Sequence, residues 1–395
     1  MNPVLIDNQV GPDNLVVVGA SVAGFTAAQT LRLEGYRGKL TIIGAEVRRP
    51  YERPPLSKQV LRGDWAPERV SLPGDVDANW LLGVSATALD IGCRKLRLSD
   101  GSMLAYGGLV IATGLTPRRL PFGGELSGIH VLRSLEDSLA LRQDLLTSAR
   151  LVVIGAGFLG AEVAATARKM GLDVALVDAL EFPLVRQCGE IVGRRVLQLH
   201  EEHGVQVITG TGVTAFGSAN GRVTEVVLTD GRTLAADTVL VAIGSDPAIG
   251  WLSGSGLSMS NGIDCDSSCR AAPDIVAAGD VANWVFPGLN TRVRVEHRMN
   301  AAEHGIAAAK ALLGSDEPFA PVPYAWTDQY DARIQIAGTV APDAVFRVAV
   351  GSLDDRFVGE YAANGCVTAV LGWNAARDFT QRRRRIGQTA GADLL

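Results

Sequence analysis

Apolar and polar positions recur in one order at two places along the chain. Near the start, the apolar run 15–18 leads into Gly19-Ala20-Ser21-Val22-Ala23-Gly24. An alanine-rich stretch follows, then a second apolar run at 40–43 and an acid, Glu46. The second copy begins with the apolar run 151–154 and turns through Gly155-Ala156-Gly157-Phe158-Leu159-Gly160. It continues through another alanine-rich stretch to the run 174–177 and Asp178. Short β-branched runs of this kind suit strands buried on both faces of a parallel sheet, and the alanine-rich stretches suit crossover helices. Each copy is thus predicted to be a βαβ unit, which implies an α/β fold with two Rossmann-like domains.

The turns give the repeat its chemistry. Gly155 is expected to make the tight turn, Gly157 to let backbone approach a pyrophosphate, and Gly160 to bring helix against strand, with Phe158 and Leu159 opening the helix. Gly19 and Gly24 hold the outer positions of the first copy, where Ser21 replaces the middle glycine. A helix N-terminus offers N–H groups and a positive dipole end to phosphates. Glu46 and Asp178 are placed to accept hydrogen bonds from ribose hydroxyls. Arg186 is the first arginine after Asp178, so a 2′-phosphate would be repelled and NADH is preferred over NADPH. Two such sites imply two dinucleotides, most simply a flavin and a nicotinamide.

Composition narrows the picture. A chain of 395 residues is too long for one core and should form two or three domains. It has no apolar run of about 18 residues that would make a membrane span. The opening Met1 to Asn14 lacks a basic segment followed by an apolar one, which points to the cytoplasm. A net charge of −5 argues against nucleic acid as a partner. The five cysteines are scattered and form no disulfide framework, and Cys265 and Cys269, spaced C-x3-C, read as structural. No metal cluster emerges. His297 and His304, and His200 and His203, read as surface or packing residues.

The motifs between and after the two folds resemble the ferredoxin reductases of bacterial oxygenase systems, within the FAD-dependent pyridine nucleotide-disulfide oxidoreductase superfamily. The resemblance covers nearly the whole chain. The stretch Arg49-PYERPPLSK-Gln59 looks like that family's flavin-side loop. It implies cofactor roles for Arg53 and Lys58, with Lys58 beside the isoalloxazine and paired with Glu162. A solvated loop lysine is the alternative. Leu109-VIATGLTP-Arg118, with Thr113 and Gly114, and Val239-LVAIGSDP-Ala248, with Gly244, resemble the crossover segments linking the two domains. Arg133 matches a family arginine that contacts FAD, and Ala23 and Ala86 match backbone contacts. Asp280, in Asp274-IVAAGDVA-Asn283, matches the aspartate that binds the flavin ribityl chain.

Arg298 departs from the pattern, since relatives commonly place tryptophan or a small apolar residue there. It stands either as a support for reduced flavin, as a residue facing the acceptor, or as half of an ion pair. Pro323-YAWTDQYDARIQIAG-Thr339 resembles the signature opening the family's C-terminal domain. That puts Trp326 and Gln329 near the flavin and the acceptor face, or leaves Trp326 as a packing aromatic.

The implied architecture is glutathione-reductase-like. A discontinuous FAD domain comprises 1–115 and 245–315, an NAD domain 116–244, and a small α+β C-terminal domain 318–395. No C-x-x-C or C-x4-C pair follows the first glycine turn, where disulfide reductases of this fold keep their dithiol. The implied catalytic pair is Lys58 and Glu162. The implied reaction passes electrons from NADH through FAD to a small [2Fe–2S] ferredoxin serving a cytochrome P450 or a Rieske oxygenase. The basic run Arg382, Arg383, Arg384 and Arg385 is a candidate docking patch, or a solvated face. Other readings are a rubredoxin reductase, an NADH oxidase, peroxidase or disulfide reductase on the same scaffold, and a redox-sensing flavoprotein like apoptosis-inducing factor.

Overall fold

A computed structural model describes residues 13–287 and 291–389; most of the opening segment read for targeting lies outside the described residues. The chain divides into two compact units. One comprises 1–52, 71–116 and 247–321; the other comprises 53–70, 117–246 and 322–395.

The first unit is built on a six-stranded sheet, in the order Arg270–Ala272, Ile275–Ala277, Gly108–Ile111, Asn14–Val18, Lys39–Gly44, Asn79–Leu82. All neighbours run parallel except the first pair. Strands with apolar residues on both faces need cover on both. One face is covered by the helices Val22–Leu33 and Arg298–Leu312, the other by a second apolar layer around Leu96, Leu252 and Trp284. Small residues set how closely the two helices approach. A Cβ at Gly305 would lie 2.4 Å from the Ala23 carbonyl oxygen.

The second unit repeats the design with a five-stranded parallel sheet, ordered Gln206–Ile208, Asp173–Val177, Arg150–Ile154, Thr238–Val241, Ile129–His130. It also contains a five-stranded antiparallel sheet from Tyr324–Gln329 to Cys366–Trp373, followed by the helix Ala376–Arg382. The helix Val185–Glu202, kinked at Gly189, buries Cys188, Val192, Val196 and Leu199 against Ile334, Phe357, Tyr361 and Leu371 of that sheet.

The segment 53–70 was expected with the first domain and lies in the second unit. Its polar groups explain this. Ser138 Oγ donates to the Leu56 carbonyl at 2.7 Å, and Thr166 Oγ1 donates to the Ser57 carbonyl at 2.8 Å. No helix among the described residues is long and apolar enough to cross a membrane.

Candidate functional site

The two glycine turns are built alike. Gly19 and Gly155 have φ of +118° and +103°, in the region that only glycine enters readily. A Cβ there would lie 2.1 Å from the Ala112 carbonyl oxygen and 2.3 Å from that of Ala242. Gly24 and Gly160 are closed in the same way, with a Cβ 1.9 Å from the Gly19 oxygen and 1.8 Å from the Gly155 oxygen. The middle position differs. Gly157 has an ordinary φ of −72°, and the nearest atom to a Cβ there is Gln187 Nε2 at 3.9 Å. Nothing in the chain itself demands glycine at 157, and the open space beside the helix N-terminus is what a pyrophosphate would need. Ser21 caps its helix with extended backbone (φ −119°). The residues therefore fit two dinucleotides.

The acids that follow are held in place by the chain. Asp178 accepts hydrogen bonds from the backbone N–H of Ala156 at 2.5 Å and of Leu180 at 2.7 Å. Each oxygen keeps acceptor capacity for a ribose. Glu46 accepts from the Tyr51 hydroxyl. Asp280 sits in a short turn, Gly279–Val281, where its carbonyl accepts from Arg294 Nη1 at 3.1 Å. A Cβ at Gly279 would lie 2.8 Å from that of Ala23, so Ala23 packs against this turn. Thr113 Oγ1 donates to the Ala248 carbonyl at 2.9 Å, and Gly114 accepts from Ala248 N–H. Gly244 accepts from Arg118 N–H at 3.0 Å. Ala86 begins the strand Ala86–Asp90 of a three-stranded sheet.

In the second unit, Lys58 Nζ lies 2.7 Å from Glu162 Oε2, both nearly buried. The resemblance implied this pair; it did not reveal the rest of the network. Ser57 Oγ donates to the same oxygen at 2.5 Å, and Thr327 Oγ1 donates to Oε1 at 2.9 Å. Arg53 donates to the Arg133 carbonyl, while Arg133 N–H donates to the Asp137 carboxylate at 3.0 Å. Phe158 packs in the apolar layer with Leu184 and Trp373, and Leu159 is half-buried.

The alternatives left open for Arg298 and Trp326 now have geometry. Arg298 clamps Glu52 with one guanidinium edge, Nε to Oε2 at 2.9 Å and Nη2 to Oε1, so its charge is spent on a neighbouring acid. Trp326 stacks on Tyr324, with centroids 5.9 Å apart and planes at 24°. Gln329 lies in the interior of the second unit. It is fully buried, because its amide is needed to satisfy His200 and Thr327.

Three of the four arginines in the basic run are engaged. Arg382 and Arg385 reach the fully buried Glu360 at 2.9 and 3.3 Å. Arg383 lies over the Tyr324 ring, and Arg384 is exposed. His304 and His200 are fully buried while His203 is exposed. All five cysteines are free, with none paired in a disulfide among the described residues. Burial pushes the Cys188 and Cys265 thiols up to about 12 and raises that of Cys269 further. Among the described residues no cluster suits a metal.

Residues 13–305 match the family described as pyridine nucleotide-disulphide oxidoreductase, and residues 324–394 match the reductase C-terminal family. The chain belongs to the pyridine nucleotide-disulphide oxidoreductases. It is 37% identical to the rhodocoxin reductase of Rhodococcus erythropolis, over 94% of this chain and 88% of that protein. It is 36% identical to the benzene 1,2-dioxygenase system ferredoxin–NAD(+) reductase subunit of Pseudomonas putida, over 95% and 92%. Among solved structures it is similar to the reductase in the covalent putidaredoxin reductase–putidaredoxin complex. The TM-score there is 0.90 at 34% identity, covering 95% of this chain and 93% of that one. The sequence's two-fold glycine pattern and the family motifs thus lead to one family. Ser57 and Thr327 were missed because their partner Glu162 lies far off in sequence, and Glu360 because only strand pairing and the following helix bring its arginines to it.

Proposed function

We propose that the chain is an NADH-dependent ferredoxin reductase that holds FAD and serves a cytochrome P450 or a Rieske oxygenase. Residues 1–115 and 245–315 hold FAD, apart from the segment 53–70 that packs in the second unit; 116–244 hold NADH, and 318–395 form the C-terminal domain. FAD held there would supply the hydride acceptance from NADH and the one-electron release that the reaction needs. The chain's own residues bind and orient. Glu46 and Asp280 accept from FAD hydroxyls, and Asp178 accepts from the ribose of NADH and repels a 2′-phosphate. Glu162 accepts from the nicotinamide carboxamide, with Lys58 and Ser57 fixing the carboxylate. Positioning of this kind supplies most of the rate in a hydride transfer.

One observation carries the choice of electron acceptor. Of the five cysteines, Cys188, Cys265 and Cys269 are buried thiols held far from ionisation, and Cys93 and Cys366 are exposed single residues. No dithiol is available to take electrons as a pair, which favours a one-electron carrier such as a [2Fe–2S] ferredoxin. Free, scattered cysteines also suit the cytoplasm. Within the basic run, Arg384 is the residue left for docking an acidic partner.

Anaerobic addition of NADH to the purified protein tests the reading, followed by ferredoxins, rubredoxin, oxygen and a small disulfide in turn. NADH should bleach the flavin, and a [2Fe–2S] ferredoxin should reoxidise it fastest. Rapid bleaching with no electron delivery to any iron–sulfur protein would overturn the assignment.

A further inference from the structure

Glu162 is the end of a polar chain that runs through the second unit. Beyond Thr327, the Gln329 side-chain nitrogen donates to Thr327 Oγ1 at 3.3 Å. The Gln329 oxygen lies 3.0 Å from His200 Nε2, and His200 Nδ1 lies 3.2 Å from the Tyr330 hydroxyl. Thr327, Gln329 and His200 are fully buried.

The direction of every bond follows from chemistry. A carboxylate only accepts, so the Thr327 hydroxyl donates to it and must accept from the Gln329 amide nitrogen. The Gln329 oxygen only accepts, so His200 Nε2 carries the proton. A neutral imidazole then presents Nδ1 as an acceptor, and the Tyr330 hydroxyl donates to it. Burial pushes the imidazole down to about 4, so it is neutral near pH 7 and has the one donor and one acceptor that the chain requires.

The outer end is pinned by contacts of its own. Tyr330 takes a φ of +55°, the left-handed region that costs an L-residue energy. Its ring stacks on His203 with centroids 3.6 Å apart and planes at 12°, and its carbonyl accepts from Lys169 Nζ at 2.6 Å. The chain is no proton path, because the lone pair of the Gln329 amide nitrogen is delocalised into its carbonyl and does not accept a proton to pass onward. What such a chain does is fix orientation. A carboxylate has about four acceptor sites. Lys58, Ser57 and Thr327 fill all but one of them, and the remaining site lies on Oε1.

We propose that Thr327, Gln329, His200 and Tyr330 are positioning residues that hold Glu162 in one orientation, so that its remaining acceptor site meets the carboxamide of NADH. This rests on the role given to Glu162 above.

The test uses the FAD-loaded protein and the variants Thr327→Val, Thr327→Ser, Gln329→Leu and Glu162→Gln. NAD⁺ affinity is measured by calorimetry, and KM and kcat for NADH with ferricyanide as acceptor. Thr327→Val and Gln329→Leu should weaken NAD⁺ binding and raise KM about tenfold, the effect of one lost hydrogen bond to a charged group. Thr327→Ser keeps the hydroxyl and should stay within about twofold of wild type. The ¹⁵N shifts of His200, read without turnover, should show the Nε2–H tautomer between about pH 6 and 8. Weakened binding in Glu162→Gln with none in Thr327→Val overturns the positioning chain alone. Unchanged binding in Glu162→Gln overturns both the chain and the role of Glu162. An Nδ1–H tautomer for His200 overturns the direction assigned to the bonds.

Discussion

Gly155 and Gly157 share one turn, and the space around them assigns them different work. An added methyl at 155 would press within 2.3 Å of the Ala242 carbonyl, at a φ of +103°. Gly155→Ala should therefore destabilise the second unit by about 1–3 kcal/mol or more, seen as a lower denaturation midpoint with or without nucleotide. At 157 the backbone is ordinary and the nearest atom is 3.9 Å away, so Gly157→Ala should leave the midpoint within about 0.5 kcal/mol of wild type. The methyl would fill the space where the pyrophosphate approaches. NAD⁺ binding should weaken while bound FAD is unchanged, and equal NAD⁺ affinity would show that the pyrophosphate lies elsewhere. Lys58 and Arg298 make a second contrast. Each is a cation opposite an acid, yet only Lys58 meets its acid beside the second glycine turn.

At the scale of elements, the helix Ala376–Arg382 is locked by charge. Glu360 lies on the strand Phe357–Ala363, directly opposite Arg347 of the neighbouring strand, and is fully buried. Arg382, at the end of the helix Ala376–Arg382, and Arg385 just beyond it converge on the same carboxylate. Removing one partner of a buried ionic cluster leaves uncompensated charge and costs about 3–5 kcal/mol. Glu360→Ala should therefore loosen the terminal helix, seen as faster amide exchange over residues 376–385, while NAD⁺ binding is kept. Exchange at wild-type rates would mean that apolar contacts around Phe379 hold the helix alone. This lock also marks the limit of what the sequence showed. The βαβ units were legible because strand, glycine turn, helix and acid are neighbours in sequence and obey local rules. Lys58 and Glu162 were legible because each sits in a family motif. Glu360 was not, since it is one acid among many until strand pairing sets it opposite Arg347. The partners of Gln329 were hidden for the same reason: His200 comes from a helix more than a hundred residues earlier in the chain.

Across the whole molecule, each unit carries one fully buried histidine. His304 in the first unit lies between Trp284 and Phe319, and its ring nitrogens make no hydrogen bond among the described residues. Burial pushes it down to about 3, and His200 in the second unit to about 4. The unfolded chain takes up a proton at each site near the ordinary value of about 6.5, and the native chain does so only at far lower pH. Above about pH 6.5 both states are neutral and neither histidine affects stability. As pH falls below that value the unfolded state binds more protons, so stability is lost. Each unit of depression is about 1.4 kcal/mol, and His200 alone accounts for on the order of 3 kcal/mol by pH 4. The aspartates act in a lower window. Asp237, held down by its hydrogen bond to Arg150, titrates below its ordinary 3.8. Loss of stability between about pH 6.5 and 4.5 should then be governed by these two histidines together with His297, which burial also holds below its ordinary value. Denaturation midpoints across that range, for wild type, His200→Gln and His304→Phe, separate the two contributions. Each variant should flatten the slope by about one proton, whatever its stability at neutral pH, because the slope counts protons taken up rather than packing lost. A slope unchanged in His304→Phe would mean that the buried imidazole already carries its proton in the native protein.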